Sequence, residues 1–117
     1  MNFNTQICTT IEQSERLLAL GLNRRTADMV HSPLHTREEH IYYLDPEVLI
    51  GSLRESVVAN DEGYEDYIPA WSLHRLIILC GNIACDWIFR NDDCYTNAIG
   101  CIEWLIKKGY FNKEYLV

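Results

Sequence analysis

The sequence has little of what would place it outside ordinary globular proteins. Its 117 residues include only three prolines and six glycines, which excludes collagen-like and low-complexity chains. Charged residues make up 23% and hydrophobic residues 48%, a composition unlike that of disordered chains. The length predicts a single domain over residues 1–117, with a core large enough to fold without disulfides or a structural metal.

Long hydrophobic runs are absent as well. The most apolar stretch, residues 73–89, is interrupted by four polar side chains, those of His74, Arg75, Asn82 and Asp86. A bilayer-spanning helix needs about 20 mostly apolar residues, so this stretch predicts no membrane contact. Residues 1–10 lack the basic and apolar regions of a secretory signal, and we therefore expect a cytoplasmic protein.

The cysteines lack the pattern of a metal site or of a disulfide framework. There are five of them, an odd number, and no two are spaced as CxxC. We expect free and mostly buried thiols in a reducing compartment, and no cofactor. The five positions are Cys8, Cys80, Cys85, Cys94 and Cys101.

Motifs for phosphate binding and for nucleophilic catalysis are missing too. None of the six glycines lies in a GxGxxG or GxxxxGK run. Ser52 lacks the second glycine of a GxSxG nucleophile elbow and lies within a predicted helix. His74 precedes Cys80 by six residues, a spacing that directs the two side chains to different faces of a helix. These patterns favour a protein that is not an enzyme.

The distribution of charge is the most informative feature that is present. The chain has 10 basic and 17 acidic residues, for a net charge of −7. Residues 38–66, which we call the acidic segment, contain nine acids and one base, a net charge of −8 that leaves +1 for the remainder. The basic clusters Arg24–Arg25 and Lys107–Lys108 are too small for a phosphate-binding footprint, so we expect no nucleic-acid partner.

The end of the acidic segment has the composition of a protein-contact surface. Two tyrosines flank a pair of acids there, and tyrosine is enriched at protein interfaces. A calcium-binding EF-hand loop that began at Asp61 would need a glutamate at its twelfth position, where the sequence has Ser72. The predicted contact residues are Asp61, Glu62, Tyr64, Glu65, Asp66 and Tyr67.

Three histidines and two glutamates lie close together in the loop His31–His40. The HxxEH motif of inverted zincins places both histidines on one helix face, whereas the spacing of His35 and His40 turns them about 140° apart. Pro33 interrupts any regular helix between His31 and His35. The favoured interpretation is a solvated loop that binds no metal; the alternative is a small metal-dependent enzyme or metal-binding domain that uses this loop.

Local signals predict an α+β fold of about four helices packed with a small antiparallel sheet or hairpin. The first helix has Thr10 and Gln13 as a capping box and ends at Gly21, where Leu22 folds back on Leu17. The other helices are predicted from Asp45 to about Val58, from Ser72 to Gly81, and from about Asn97 to Gly109.

Strand signals are shorter than helix signals. Aromatic and β-branched residues predict a strand over Ile41–Leu44, and a short extended piece is expected around Met29. Alternating apolar residues predict a strand over Ile83–Arg90, with Cys94–Thr96 as the second arm of a hairpin. Three tryptophans are predicted to anchor the core, namely Trp71, Trp87 and Trp104.

Three groups of segments carry a resemblance to known proteins. They are Glu12-Gln13-Ser14 with Leu17-Leu18, Leu20-Gly21-Leu22 and Thr26-Ala27-Asp28-Met29; Ile68-Pro69-Ala70-Trp71-Ser72-Leu73; and Trp104-Leu105-Ile106 with Gly109-Tyr110. Together they resemble a group of small uncharacterised proteins encoded by phages and conjugative elements of gut-dwelling anaerobic bacteria. The resemblance implies a cytoplasmic protein of a mobile element, and it implies no activity, cofactor or catalytic residue.

These observations combine into one leading hypothesis. The protein is expected to be a non-enzymatic interaction module of a mobile genetic element that binds an unidentified protein partner through its acidic surface. Mimicry of nucleic-acid charge, to occupy the basic groove of another protein, is a further alternative. The seven tyrosines and three tryptophans leave a homodimer open.

Overall fold

The fold begins with a short, well-capped helix. A computed structural model of the chain describes residues 6–32, 40–43, 59–60, 62–63, 66–88, 90 and 93–117. Helix α1 spans Ile11–Ala19. The hydroxyl of Thr10 accepts from the Gln13 N–H (3.1 Å), and the Gln13 side chain accepts from the Thr10 N–H (2.9 Å). The predicted capping box is therefore confirmed.

The exit from α1 also follows the prediction. Gly21 has a φ of +99°, a left-handed conformation that favours glycine. The N–H of Leu22 donates to the carbonyl of Leu17 (3.1 Å), and both leucine side chains are fully buried. The N–H of Val117 donates to the Gly21 carbonyl (2.8 Å), so the last residues of the chain lie against this turn.

A three-stranded antiparallel sheet follows α1 in the described residues. Its strands are β1 (Met29–Ser32), β2 (His40–Tyr43) and β3 (Ile68–Ala70), in the spatial order β2-β1-β3. The extended piece predicted around Met29 is thus confirmed. The strand predicted over Ile41–Leu44 is confirmed for residues 41–43 and begins one residue earlier, whereas Leu44 lies outside the described residues. Strand β3 lies at an edge of the sheet, where Pro69 can pair opposite Val30 without the backbone N–H that it lacks.

The second helix of the described residues is also capped as the sequence predicts. Helix α2 spans Leu73–Cys80, and the hydroxyl of Ser72 accepts from the N–H of Arg75 (3.1 Å). It ends at Gly81, whose φ of +70° stops the helix. A single 3-10 turn, Gly81–Ile83, leads into the next element.

The predicted strand over Ile83–Arg90 is wrong. Helix α3 spans Ala84–Ile88 in its place. The first and last residues of this helix are four apart and both buried, whereas Cys85 and Asp86 are exposed. Packing against the next helix therefore selects the helical period, although the apolar residues of the segment also alternate in the pattern of a strand.

The predicted hairpin arm at Cys94–Thr96 is wrong for a related reason. These residues form the first turn of α4, which spans Cys94–Lys108. Asp93 is the N-cap, with its carboxylate accepting from the N–H groups of Tyr95 (3.0 Å) and Thr96 (3.1 Å). The predicted start of this helix, at about Asn97, is therefore three residues too late.

The end of α4 agrees with the prediction. Gly109, with a φ of +75°, ends the helix. Asn97 is buried rather than terminal, and its side-chain amide donates to the carbonyl of Ile88 (3.0 Å), which closes the end of α3. The apolar side of α4 faces the core, with Ala98, Cys101, Ile102 and Leu105 buried and Ile106 partly buried.

The coarse fold class, α+β, is confirmed. Within the described ranges, three helices have eight residues or more (α1, α2 and α4), where about four helices were predicted. The helix predicted from Asp45 to Val58 lies outside the described residues. The main core forms where α2 and α4 pack together with the exit of α1 and with Trp71, which is 0% exposed. Trp104 lies at the surface instead, with 37% of it exposed.

The cap of α4 makes a pH-dependent contribution to stability. Burial acts to raise the pKa of Asp93, but the hydrogen bonds from Thr96 and Tyr95 outweigh it and hold the pKa below its usual value of 3.8. A lowered native-state pKa stabilises the fold above the unfolded-state pKa, and this contribution is lost as pH falls through the native value. Asp93→Asn keeps an oxygen acceptor without a charge. We expect its free energy of unfolding to fall less steeply than that of wild type between about pH 5 and about pH 2. Urea denaturation at several pH values measures this, and parallel curves for wild type and variant would contradict it.

Candidate functional site

Several polar side chains of the described structure that could do chemistry meet at one place. The residues before α1, strand β1 and the segment leading into α2 converge there, and we call this group the polar junction. It consists of Cys8, Thr9, Thr26, Asp28, His31, Trp71 and Ser72. Its geometry decides whether these groups form an active site or hold the fold together.

Thr9 and Trp71 join the chain before α1 to the segment that leads into α2. The N–H of Thr9 donates to the Trp71 carbonyl (2.9 Å), and the N–H of Trp71 donates to the Thr9 hydroxyl oxygen (3.1 Å). The same hydroxyl lies 2.7 Å from the hydroxyl of Ser14, inside α1. All of these groups are buried and paired within the protein, which makes Thr9 a structural residue.

The Trp71 indole extends the network toward β1. Its Nε1–H donates to the hydroxyl of Thr26 (2.9 Å), which in turn donates to the carbonyl of Asn23 (2.7 Å). The Thr26 carbonyl accepts from Nε of Arg75 (2.7 Å), in the first turn of α2. The indole is thereby anchored at its polar edge as well as by its apolar contacts.

Asp28 and Ser72 form a carboxylate–hydroxyl pair, which could suggest catalysis. One carboxylate oxygen accepts from the Ser72 N–H (2.8 Å) and the other accepts from the Ser72 hydroxyl (2.5 Å). The Ser72 oxygen also accepts from the N–H of Arg75, as the cap of α2. The pair therefore fixes the start of a helix, and Asp28 supplies the acceptors that the capping serine requires.

Cys8 and His31 form the one thiol–imidazole contact among the described side-chain pairs, with Sγ 3.8 Å from Nε2. Sequence analysis missed this pair because its members are 23 residues apart. Nε2 also lies 2.7 Å from the carbonyl oxygen of Thr9, which can only accept, so this nitrogen carries a hydrogen. It then has no lone pair to take the thiol proton, and the pair does not match a nucleophile activated by a base.

The prediction of a solvated histidine loop is wrong for His31. It lies in β1, pairs opposite Ile41 and Ile68, and is only 5% exposed. His40 belongs to β2, while residues 33–39 lie outside the described residues. Among the residues that the structure describes, no group of three or more His, Cys, Asp or Glu side chains is arranged to hold a metal ion.

The predicted contact residues of the acidic segment are only partly described. Glu62 and Asp66 are exposed, whereas Asp61, Tyr64 and Glu65 lie outside the described residues. Tyr67 is half-buried and packs against the core, and its carbonyl accepts from a guanidinium nitrogen of Arg24 (3.4 Å). Tyr67 thus attaches the segment to the fold as it enters β3.

The thiols largely follow the expectation of free, buried cysteines. All five are unbridged; Cys8, Cys80 and Cys101 are buried, and Cys85 is exposed. Cys80 and Cys101 meet between α2 and α4, where the hydrogen bond with Cys101 and burial raise the pKa of the Cys80 thiol. Cys80 therefore stays protonated at neutral pH and is a poor nucleophile.

Three aromatic rings and one guanidinium lie in a row across the surface of α4. We call this group the aromatic row, and its members in order are Arg90, Trp87, Trp104 and Tyr110. The guanidinium of Arg90 lies 3.8 Å from the Trp87 ring centroid. The ring centroids of Trp87 and Trp104 are 6.1 Å apart, and those of Trp104 and Tyr110 are 5.9 Å apart. One feature of the sequence points to the aromatic row. Gly100 and Trp104 lie on the same face of α4, and a glycine at position 100 leaves room for an aromatic ring against the helix.

A cleft of about 350 Å³ adjoins the end of the aromatic row. Tyr110 and Ile78 belong to its walls, together with Leu105 and Phe111. Ile78 and Tyr110 are among the large apolar side chains that remain exposed. The aromatic row and the cleft therefore adjoin one another across α2, α3 and α4, and the walls of the cleft combine these apolar side chains with Asn82 and Asn112.

Comparison of the chain with known proteins found no matching family model, no matching curated protein and no matching solved structure. In the part of the chain that the structure describes, no helix combines the length and apolar character needed to cross a membrane.

The role of Asp28 as a structural acceptor can be measured. Asp28→Ala leaves the N–H and hydroxyl of Ser72 without their acceptor, and we expect it to lower the free energy of unfolding by about 1–3 kcal/mol. Asp28→Asn keeps one acceptor oxygen and should cost less. The exposed Asp66 provides the matched control, because Asp66→Ala should change stability by no more than about 0.5 kcal/mol. Equal losses for both alanine variants in chemical denaturation would contradict this role.

The burial of the thiols and the tautomer of His31 predict which cysteines react. In native protein treated with Ellman's reagent, we expect Cys85 to react fastest and Cys8 to react only as the chain unfolds. Cys85→Ser should remove the fast phase without altering the others. Rapid modification that persists in Cys85→Ser and disappears in Cys8→Ser would instead identify Cys8 as an activated nucleophile.

Proposed function

We infer that this protein is a non-enzymatic interaction module that binds a protein partner through its acidic segment. The observation that carries the proposal is the separation of charge, with −8 on residues 38–66 and +1 on the other residues of the chain. Such a surface attracts a basic patch on a partner and repels acidic proteins and nucleic acids. It therefore raises the rate of association with basic partners and disfavours other partners.

The described part of the segment supports an accessible surface. Glu62 and Asp66 are exposed, and Gly63, which follows Glu62 in a turn, has a φ of +90°. Asp66 directly precedes the half-buried Tyr67 and then β3, so this acid lies close to the sheet. An acidic surface held on a folded scaffold loses less conformational entropy on binding than a free acidic tail would.

The polar junction supports a non-enzymatic role. The hydroxyl, carboxylate and imidazole groups gathered there hydrogen-bond to backbone groups of neighbouring elements or to one another. Each of these bonds has a structural purpose, such as capping α2 or joining α1 to β3. The polar side chains of this junction thus serve the scaffold, and the exposed charge of the acidic segment is left for recognition.

The setting that we propose is the cytoplasm of a bacterium that carries a mobile genetic element. The segments that resemble proteins of such elements include Thr26-Ala27-Asp28-Met29 and the run Ile68–Leu73. These segments supply Thr26, Asp28, Trp71 and Ser72 of the polar junction. The resemblance therefore supports a shared scaffold, and the partner of this chain is sought among basic proteins of the host or of the element.

A pair of matched charge reversals tests the proposal. Tagged protein is used for affinity capture from a lysate of a gut anaerobic bacterium at low and moderate salt, and each captured protein is then purified. We expect the double variant Glu62→Lys with Asp66→Lys to raise the dissociation constant by about tenfold or more, because like charges then face each other. The control, Glu12→Lys with Glu15→Lys, reverses two exposed acids of α1 and should leave the constant within about twofold.

Three results would contradict the acidic contact. They are equal affinity of the two double variants, affinity that does not fall with added salt, and capture of the same proteins by both variants at every salt concentration. If captured proteins are DNA-binding and DNA competes with this chain for them, the partner site is a basic groove and the acidic segment acts as a mimic of nucleic acid.

A further inference from the structure

We propose that the aromatic row and its adjoining cleft form a second docking surface, which binds an acidic protein segment that carries bulky apolar side chains. This surface is separate in sequence from the acidic segment and opposite to it in charge. The proposal therefore does not depend on the function proposed above.

The composition of the aromatic row is that of an interface hot spot. Tyrosine, tryptophan and arginine are the residues that most often dominate binding energy at protein interfaces. Tyr110 is 71% exposed and Trp104 is 37% exposed, and Arg90 is also exposed at the other end of the row. A partner that covers these side chains would bury a large apolar area at a small entropic cost.

Contacts within the fold position the rings of the aromatic row. The Trp87 ring lies over Gly100, where a Cβ atom would be 3.4 Å from the ring. Tyr110 follows the helix-ending Gly109, and its N–H donates to the Leu105 carbonyl (2.9 Å). The rings also contact one another, so each limits the rotation of the next. A surface that is already ordered loses little conformational entropy when it binds.

Charge around the aromatic row indicates an acidic partner. Lys107 and Lys108 are exposed and lie three and four residues after Trp104, in the last turn of α4. The nearby carboxylate of Glu103 is paired with Lys107 (3.0 Å) and with Arg16, and the hydrogen bonds from both lower its pKa. Cationic side chains beside exposed rings favour a segment that combines carboxylates with apolar groups.

The geometry favours a protein segment over a single-stranded nucleic acid. Successive rings of the aromatic row already contact one another, at centroid distances of 6.1 and 5.9 Å, so no base can insert between them. Binding of the phosphate backbone of a nucleic acid would also require more cations than Arg90, Lys107 and Lys108 supply. The cleft between Ile78 and Tyr110, by contrast, is large enough for an aromatic or aliphatic side chain.

A displayed library of short random peptides, selected on the purified full chain, tests the proposal. We expect the enriched peptides to be acidic and to contain aromatic or aliphatic anchors. Titration calorimetry with the purified peptides then compares two variants with wild type. Tyr110→Ala and Lys108→Glu should each weaken binding by about tenfold, because one removes an exposed ring and the other opposes the peptide charge.

Arg25→Glu is the matched control, because it makes the same charge change at an exposed cation that takes no part in the ring contacts. It should leave peptide affinity within about twofold. Thermal unfolding of all three variants separates loss of binding from loss of folding. A Tyr110→Ala chain that unfolds cooperatively like wild type, yet binds selected peptides with full affinity, overturns the proposal.

Other outcomes overturn it as clearly. Enrichment of basic peptides, or of none, would contradict the stated chemistry of the partner. Binding of oligothymidylate that is lost in Tyr110→Ala would assign the surface to single-stranded nucleic acid. Sedimentation that shows a wild-type dimer and a monomeric Tyr110→Ala would assign it to a second copy of the chain.

Discussion

The buried hydrogen bonds of one tryptophan set the arrangement of the described fold. The Trp71 indole N–H must reach a partner, since an unpaired buried donor costs about 1–3 kcal/mol, and Thr26 provides that partner. The backbone of Trp71 exchanges two hydrogen bonds with Thr9. These two requirements bring the chain before α1, the entrance to β1 and the start of α2 to one point. Asp28 reinforces the arrangement because its carboxylate holds the first residue of that third segment.

The parts of the fold that could be predicted are those decided by neighbours in sequence. The capping box of Thr10 and the left-handed turn at Gly21 depend on residues a few positions away, and both predictions are confirmed. The strand predicted over Ile83–Arg90 failed because its apolar residues fit two periods, and contact with α4 decided between them. The prediction of a solvated His31 failed because its hydrogen-bond partner, the carbonyl of Thr9, is 22 residues away in sequence.

The candidate surfaces divide in a similar way. The acidic segment was visible in the sequence because charge can be counted without knowledge of the fold, although the half-buried position of Tyr67 could not be predicted. The aromatic row could not be assembled from the sequence, because Trp87 had been placed in a strand and each ring joins a different part of the chain. The acidic segment can thus be identified from composition, whereas the aromatic row and the cations beside it can be identified only from the structure.

The unequal burial of the tryptophans has a practical consequence. Trp71 is enclosed in the core, whereas Trp87 and Trp104 share one partly solvated surface. An enclosed indole emits at shorter wavelengths than a hydrated one, so the three tryptophans occupy two different environments. A ligand that covers the surface pair would change their emission while that of the enclosed indole stays constant, whereas denaturation would alter all three. Unlabelled protein can therefore report occupancy and folding separately in a single spectrum.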